Sequence, residues 1–176
     1  MIFRFFRPDP SRVLIDTLLT RVAVAARAPW LYRDMGVPDT VEGRFESYAL
    51  HMVLTLRHMR TLPAPADDAA QELVDAYFKS LDHMLREMGV GDLGVPKRMK
   101  KLAEAFYGRA RTYDPLLDAK DAPGLALALG RNVVGASEPA HPLAAYALEA
   151  QARLAAQDLD ALFAAGPDFP AAPQTF

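Results

Sequence analysis

The chain contains no cysteine, which excludes disulfides, thiolate catalysis, zinc ribbons and iron-sulfur clusters together. A reducing cytosol suits such a chain. Serine is scarce as well: Ser11, Ser47, Ser80 and Ser137 are the full set, and none stands in the G-x-S-x-G turn that presents a serine nucleophile. No run approaches the roughly 20 apolar residues needed to cross a bilayer. The start, MIFRFFRPDP, lacks the apolar centre and small-residue cleavage site of a signal peptide. No segment alternates as a half-buried strand does, and no internal period repeats.

What is present is apolar and helical in rhythm. Hydrophobic residues make up 51% of the 176, enough to build the core of one ordinary domain. The formal charge of −2 argues against a protein that grips nucleic acid with its whole surface. The distribution says more than the sum. Residues 1–33 carry net +4, 34–85 net −5, 86–111 net +4 and 112–176 net −5, so charge is segregated and two of the blocks are basic.

Helix signals follow one another along the chain. Asp9-Pro10 reads as an N-cap with proline at the first helical position, opening a helix to about Ala28. Pro29 to Gly36 predicts a short helical turn. Asp39 and Glu42 have capping-box spacing, and Val41, Phe45, Ala49, Met52, Leu56 and Met59 carry an apolar stripe to about Leu62. Further helices are predicted from about Asp67 to Met88 and from Pro96 to about Ala110. Residues 112–134 predict two shorter segments, the second capped by Asp121. His141-Pro142 opens an alanine-rich helix predicted to reach Ala165, and the proline-broken end predicts fraying. The expected fold is all-α, a single-domain compact bundle of about six to eight helices. Its expected parts are a basic aromatic arm at 1–8, the helical domain at 9–166 and a flexible tail at 167–176.

In GVGDLGVPKRMKK, Gly89, Gly91 and Gly94 match the spacing of a dinucleotide loop. That loop needs a strand before it, whereas QELVDAYFKSLDHMLREM has helical period. A Walker loop fails too, because Val95-Pro96 separate Gly94 from Lys97 and Arg98 stands where a magnesium-binding hydroxyl belongs. The glycines therefore predict a turn between helices, with Gly89 as left-handed C-cap and Pro96 in the next first turn. On the projection of that next helix, Lys97, Lys100 and Lys101 lie opposite an apolar stripe of Val95, Met99, Leu102, Ala103, Phe106 and Ala110, with Arg98 and Arg109 at one edge. Lys97 and Arg98 fall in the first turn, where the helix dipole disfavours cations by roughly 0.3–1 kcal/mol each. Such a cluster is either a solvated basic face or a docking corner for an anion or acidic peptide.

Other candidates are weaker. His51 and His58 lie seven apart on one helix, and His83 precedes Glu87 by four. A pair is an incomplete ligand set, so no metal and no cofactor is assigned, and the carboxylates sit where capping explains them. In MIFRFFR, Phe3, Phe5 and Phe6 beside Arg4 and Arg7 suit an anionic membrane surface; the alternative is that the rings fold back onto the first helix.

Two stretches carry a resemblance: SLDHMLREMGVGDLGVPKRMKKLAEAFYGRARTYD, and upstream VPDTVEGRFESYALHMVL. Together they resemble the ubiquinol-cytochrome c chaperone family, whose mitochondrial members are assembly factors for cytochrome b, and the similarity runs from the first helix to roughly the last. The matching residues are Gly89, Gly91, Asp92, Lys97, Arg98, Met99, Lys100, Phe106, Tyr107, Gly108 and Arg109, with Asp39, Thr40, Gly43, Arg44 and Phe45 upstream. The resemblance implies a non-enzymatic chaperone that binds newly made cytochrome b, or its nascent chain, and promotes assembly of ubiquinol-cytochrome c reductase. Relatives also work with a small partner protein and the ribosome. Gly89, Gly91, Asp92, Lys97, Arg98, Lys100, Lys101, Tyr107, Arg109, Asp39 and Arg44 are the expected partner-binding residues. The chain begins almost at the domain, without a mitochondrial targeting extension, so a bacterial cytoplasmic member working at the inner face of the membrane is expected. From another class, a ribosome- or RNA-binding module would use the same basic face around Lys97 to Lys101, with no DNA partner in either case.

Overall fold

A computed structural model describes residues 10–172. Eight α-helices follow in order: α1 (Pro10–Ala25), α2 (Pro29–Arg33), α3 (Val41–Met59), α4 (Ala66–Glu87), α5 (Val95–Asp118), α6 (Ala122–Leu129), α7 (His141–Leu154) and α8 (Leu159–Ala165). A π-helical turn at Gly130–Val134 joins α6 to the loop before α7. No strand occurs among the described residues, and the fold is all-α.

The axis of the bundle is α3, which α1, α4, α5 and α7 all touch. Its predicted stripe is buried from Phe45 through Met59, and so is most of the rest of its circumference there: Leu50, Val53 and Leu54, together with the polar Ser47, His51 and Thr55. Polar groups survive inside a core only when hydrogen-bonded, and these are. Ser47 Oγ donates to the Ala26 carbonyl at 2.8 Å, satisfying the open end of α1. Thr55 Oγ1 donates to the His51 carbonyl at 2.8 Å.

Local chemistry sets the helix ends. The cap of α3 is Thr40, whose Oγ1 accepts from the Gly43 amide at 3.1 Å, not the expected Asp39–Glu42 box; Asp39 instead pairs with Arg44 at 2.7 Å. Gly43 has a steric reason to be glycine, because a Cβ there would stand 2.1 Å from the Pro38 carbonyl oxygen. Asp121 caps α6 as expected, accepting from Gly124 N at 3.0 Å.

Three further expectations are corrected. α5 continues past Ala110 to Asp118 in one piece, carrying Pro115 in its last turn. One missing amide there is outweighed by the burial of Tyr113 and Leu117, which prolong the apolar stripe. The alanine-rich helix breaks after Leu154, because Asp158 accepts from Ala161 N at 2.8 Å and starts α8, while His58 Nε2 donates to the Gln157 carbonyl at 2.8 Å and holds the corner. Residues 167–170, expected to fray, lie on the bundle. Gln157 Nε2 donates to the Gly166 carbonyl at 2.9 Å and Gln157 Oε1 accepts from Asp168 N at 2.8 Å. The Phe169 ring meets His51 edge-on at 4.7 Å. The aromatic arm with Phe3, Arg4, Phe5, Phe6 and Arg7 lies outside the described residues.

No helix among the described residues is long and apolar enough to cross a membrane.

Candidate functional site

The glycine stretch is a helix-to-helix turn. Gly89 takes φ +80°, its amide bonds the Arg86 carbonyl at 2.9 Å, and the Val90 amide bonds the Leu85 carbonyl at 3.0 Å. This is a Schellman closure of α4, which only a residue at ease in the left-handed region makes without strain. The Gly91 carbonyl then accepts from Gly94 N at 2.7 Å and Val95 N at 3.2 Å, and the side chain of Val95 is buried. Arg86 bonds both Asp82, at 2.7 Å, and Asp92. Asp92 thus ties the loop back to α4.

That turn sets α5 against the end of α4 and the beginning of α3, and the three helices leave a groove of about 440 Å³ between them. Its apolar surface comes from Phe45 on α3, Met84, Leu85 and Met88 at the end of α4, and Leu102 and Ala105 on α5. Val41 and Met88 are 49% and 48% exposed, so this surface is open. Arg98 and Lys101 stand on the α5 bank, and Glu42 and Glu46 on the α3 bank. Next to the groove in sequence, Leu93 at the tip of the turn is 99% exposed.

The two banks are clamped together. Arg109 Nε and Nη2 donate to the two carboxylate oxygens of Glu46 at 2.9 and 2.8 Å, a fork that fixes distance and direction at once. These hydrogen bonds raise the guanidinium pKa above its already high ordinary value. Arg109 therefore belongs to the frame of the site and offers little free charge.

The other sequence candidates separate. Lys97 and Lys100 are exposed on the outer side of α5, where Lys100 comes only within 3.9 Å of Glu104. Lys101, expected beside them, turns with Arg98 to the groove. Asp39 and Arg44 pair with each other beside Tyr32 and Arg27, off the groove lining. Tyr107 lines a different cavity of about 300 Å³, with Val53, Val74 and Arg60. Val41 was read from the sequence only as a stripe residue, Glu42 only as a cap and Met84 and Met88 only as parts of a helix, and Glu46 was given no role. Their signal was the pair of apolar side chains, Val41 and Met88, at helix ends where capping and charge normally prevail.

His51 and His58 serve the fold. His51 is fully buried; its Nδ1–H donates to the Ser47 carbonyl at 2.8 Å and its Nε2 accepts from the Tyr146 hydroxyl at 2.7 Å. Desolvation lowers its pKa to about 4, against a smaller raising effect of the Ser47 carbonyl. His83 meets Glu87 at 3.2 Å on the surface. Among the described residues no three His, Cys, Asp or Glu side chains converge as a metal site would require.

Comparison with known proteins points one way. The family model described as ubiquinol-cytochrome C chaperone matches residues 33–169, most of the chain. The crystal structure of the Cbp3 homolog from Brucella abortus is similar with a TM-score of 0.83 and 39% sequence identity, covering 94% of this chain and 93% of that one. No curated protein matches the chain.

Proposed function

The chain belongs to the ubiquinol-cytochrome c chaperone family, and from that premise we propose that it holds newly made cytochrome b until the subunit enters ubiquinol-cytochrome c reductase. The observation that carries this reading is the groove between α3, α4 and α5, an open apolar surface whose lining comes from both stretches that resemble the family. An apolar client segment laid there leaves water at about 25 cal/mol per Å² buried. Holding of this kind requires no chemistry. The work is proposed to take place in a bacterial cytoplasm at the inner face of the membrane, with the aromatic arm touching lipid.

Arg98 and Lys101 supply the specific observation for a second reading, contact with ribosomal RNA, since neither forms an ion pair among the described residues. RNA binding falls steeply with salt, with a slope set by the phosphates neutralised.

A photoreactive residue at Met88 in cells assembling complex III should capture cytochrome b. Capture of unrelated soluble proteins alone would count against the chaperone reading, and capture of ribosomal RNA would favour the second.

A further inference from the structure

Resting on the reading of this groove as the client seat, we infer that its occupant is an amphipathic helix with carboxylates along one flank, laid so that they face the α5 bank. Backbone chemistry selects the helix. All three walls of the groove are helices, whose only open main-chain groups lie at their ends, so they offer no row of alternating amides and carbonyls to which an extended strand can hydrogen-bond. A segment entering an apolar groove must then satisfy its own amides and carbonyls, which a helix does. Dimensions agree. From Arg98 to Ala105 the α5 bank rises about 10 Å, two helical turns, and its lining residues Arg98, Lys101, Leu102 and Ala105 recur at the three- and four-residue steps that make ridges and grooves for another helix.

Charge selects the flank. On the α5 bank Arg98 and Lys101 face the groove, and neither comes within 4 Å of a carboxylate among the described residues. On the α3 bank Glu46 is already held by Arg109, which leaves Glu42 as its uncompensated charge. The groove is therefore polar across its width, positive at α5 and negative at α3. An occupant with acids on one side of its apolar ridge, and a lysine or arginine on the other, matches both banks. A nucleic-acid strand, negative along its whole length, would place phosphate against Glu42.

The test uses the full chain and two fluorescent peptides of about 18 residues, some five helical turns. Both carry leucine at i, i+3, i+4 and i+7; one has glutamate on one flank and lysine on the other, while the second has lysine on both. Fluorescence anisotropy should show the glutamate-flanked peptide binding about tenfold more tightly, the scale of two partly exposed ion pairs. Arg98→Glu with Lys101→Glu should reverse that preference, with the thermal melt unchanged. Equal binding of both peptides, unaffected by the charge reversal yet lost in Met88→Asp, would overturn the carboxylate flank and leave the groove reading standing. If Met88→Asp changed neither peptide's binding, the groove reading itself would fall. Displacement of the glutamate peptide by a single-stranded RNA, dependent on Arg98 and Lys101, would also overturn the inference.

Discussion

His51 illustrates how a single side chain acquires a role from its surroundings. Seven residues from His58 on one helix, it had the spacing of half a metal site, yet both ring nitrogens are occupied by Ser47 and Tyr146 and the Phe169 ring closes over it. Burial keeps it neutral, with a pKa of about 4 against roughly 6.5 when unfolded. Between those values the unfolded chain binds a proton that the folded chain refuses. Stability is thus complete above about pH 6.5 and declines as pH falls toward 4. Urea unfolding should show a loss of about 2 kcal/mol attributable to this group between pH 7.5 and pH 5. In His51→Gln, whose amide can still donate to the Ser47 carbonyl but does not titrate, that part of the pH dependence should vanish. An unchanged profile would mean that His51 is not the titrating group.

At the scale of elements, the turn between α4 and α5 was legible because its chemistry is local. Gly89 follows an apolar-periodic helix and Pro96 opens the next, which is enough to place a left-handed cap and a helix start. The three glycines are nonetheless unequal. Gly89 sits at φ +80°, whereas Gly91 has no left-handed strain and empty space where a Cβ would go. Gly89→Ala should cost about 1 kcal/mol by urea unfolding, and Gly91→Ala should stay within about 0.5 kcal/mol. Equal effects would contradict the Schellman closure. The boundaries missed were those decided at a distance: α5 passes through Pro115 because Tyr113 and Leu117 are buried on both sides of it, and α7 stops because Asp158 and His58 build a corner there.

Considered whole, the molecule wraps its last described residues over the polar side of α3. Phe169 covers His51, Asp168 bonds Gln157 and lies 3.7 Å from Arg153, and Pro170 is buried. Removing residues 167–176 should therefore lower stability by about 2 kcal/mol, roughly 4–8 °C in Tm for a domain of this size. A calorimetric Tm equal to that of the full chain would show that this segment contributes nothing to the bundle.

The sequence by itself determined the helical class, most helix starts, the glycine turn, the basic block and the family, since each depends on neighbours a few residues away or on the order of residues alone. Only the tertiary structure decided which cations face the groove. On a projected helix Lys101 belongs with Lys97 and Lys100, and Arg109 looks like one more free charge. Packing α5 against α3 and α4 turns Lys101 toward Met84 and Met88 and commits Arg109 to Glu46. A helix's own period fixes the angle between its side chains, but the angle at which neighbouring helices meet it is set by core packing between residues far apart in the chain. For that reason GVGDLGVPKRMKK was readable as a corner from its glycines and proline, while the groove beside it became visible only with Val41, Phe45 and Glu46 brought across from α3.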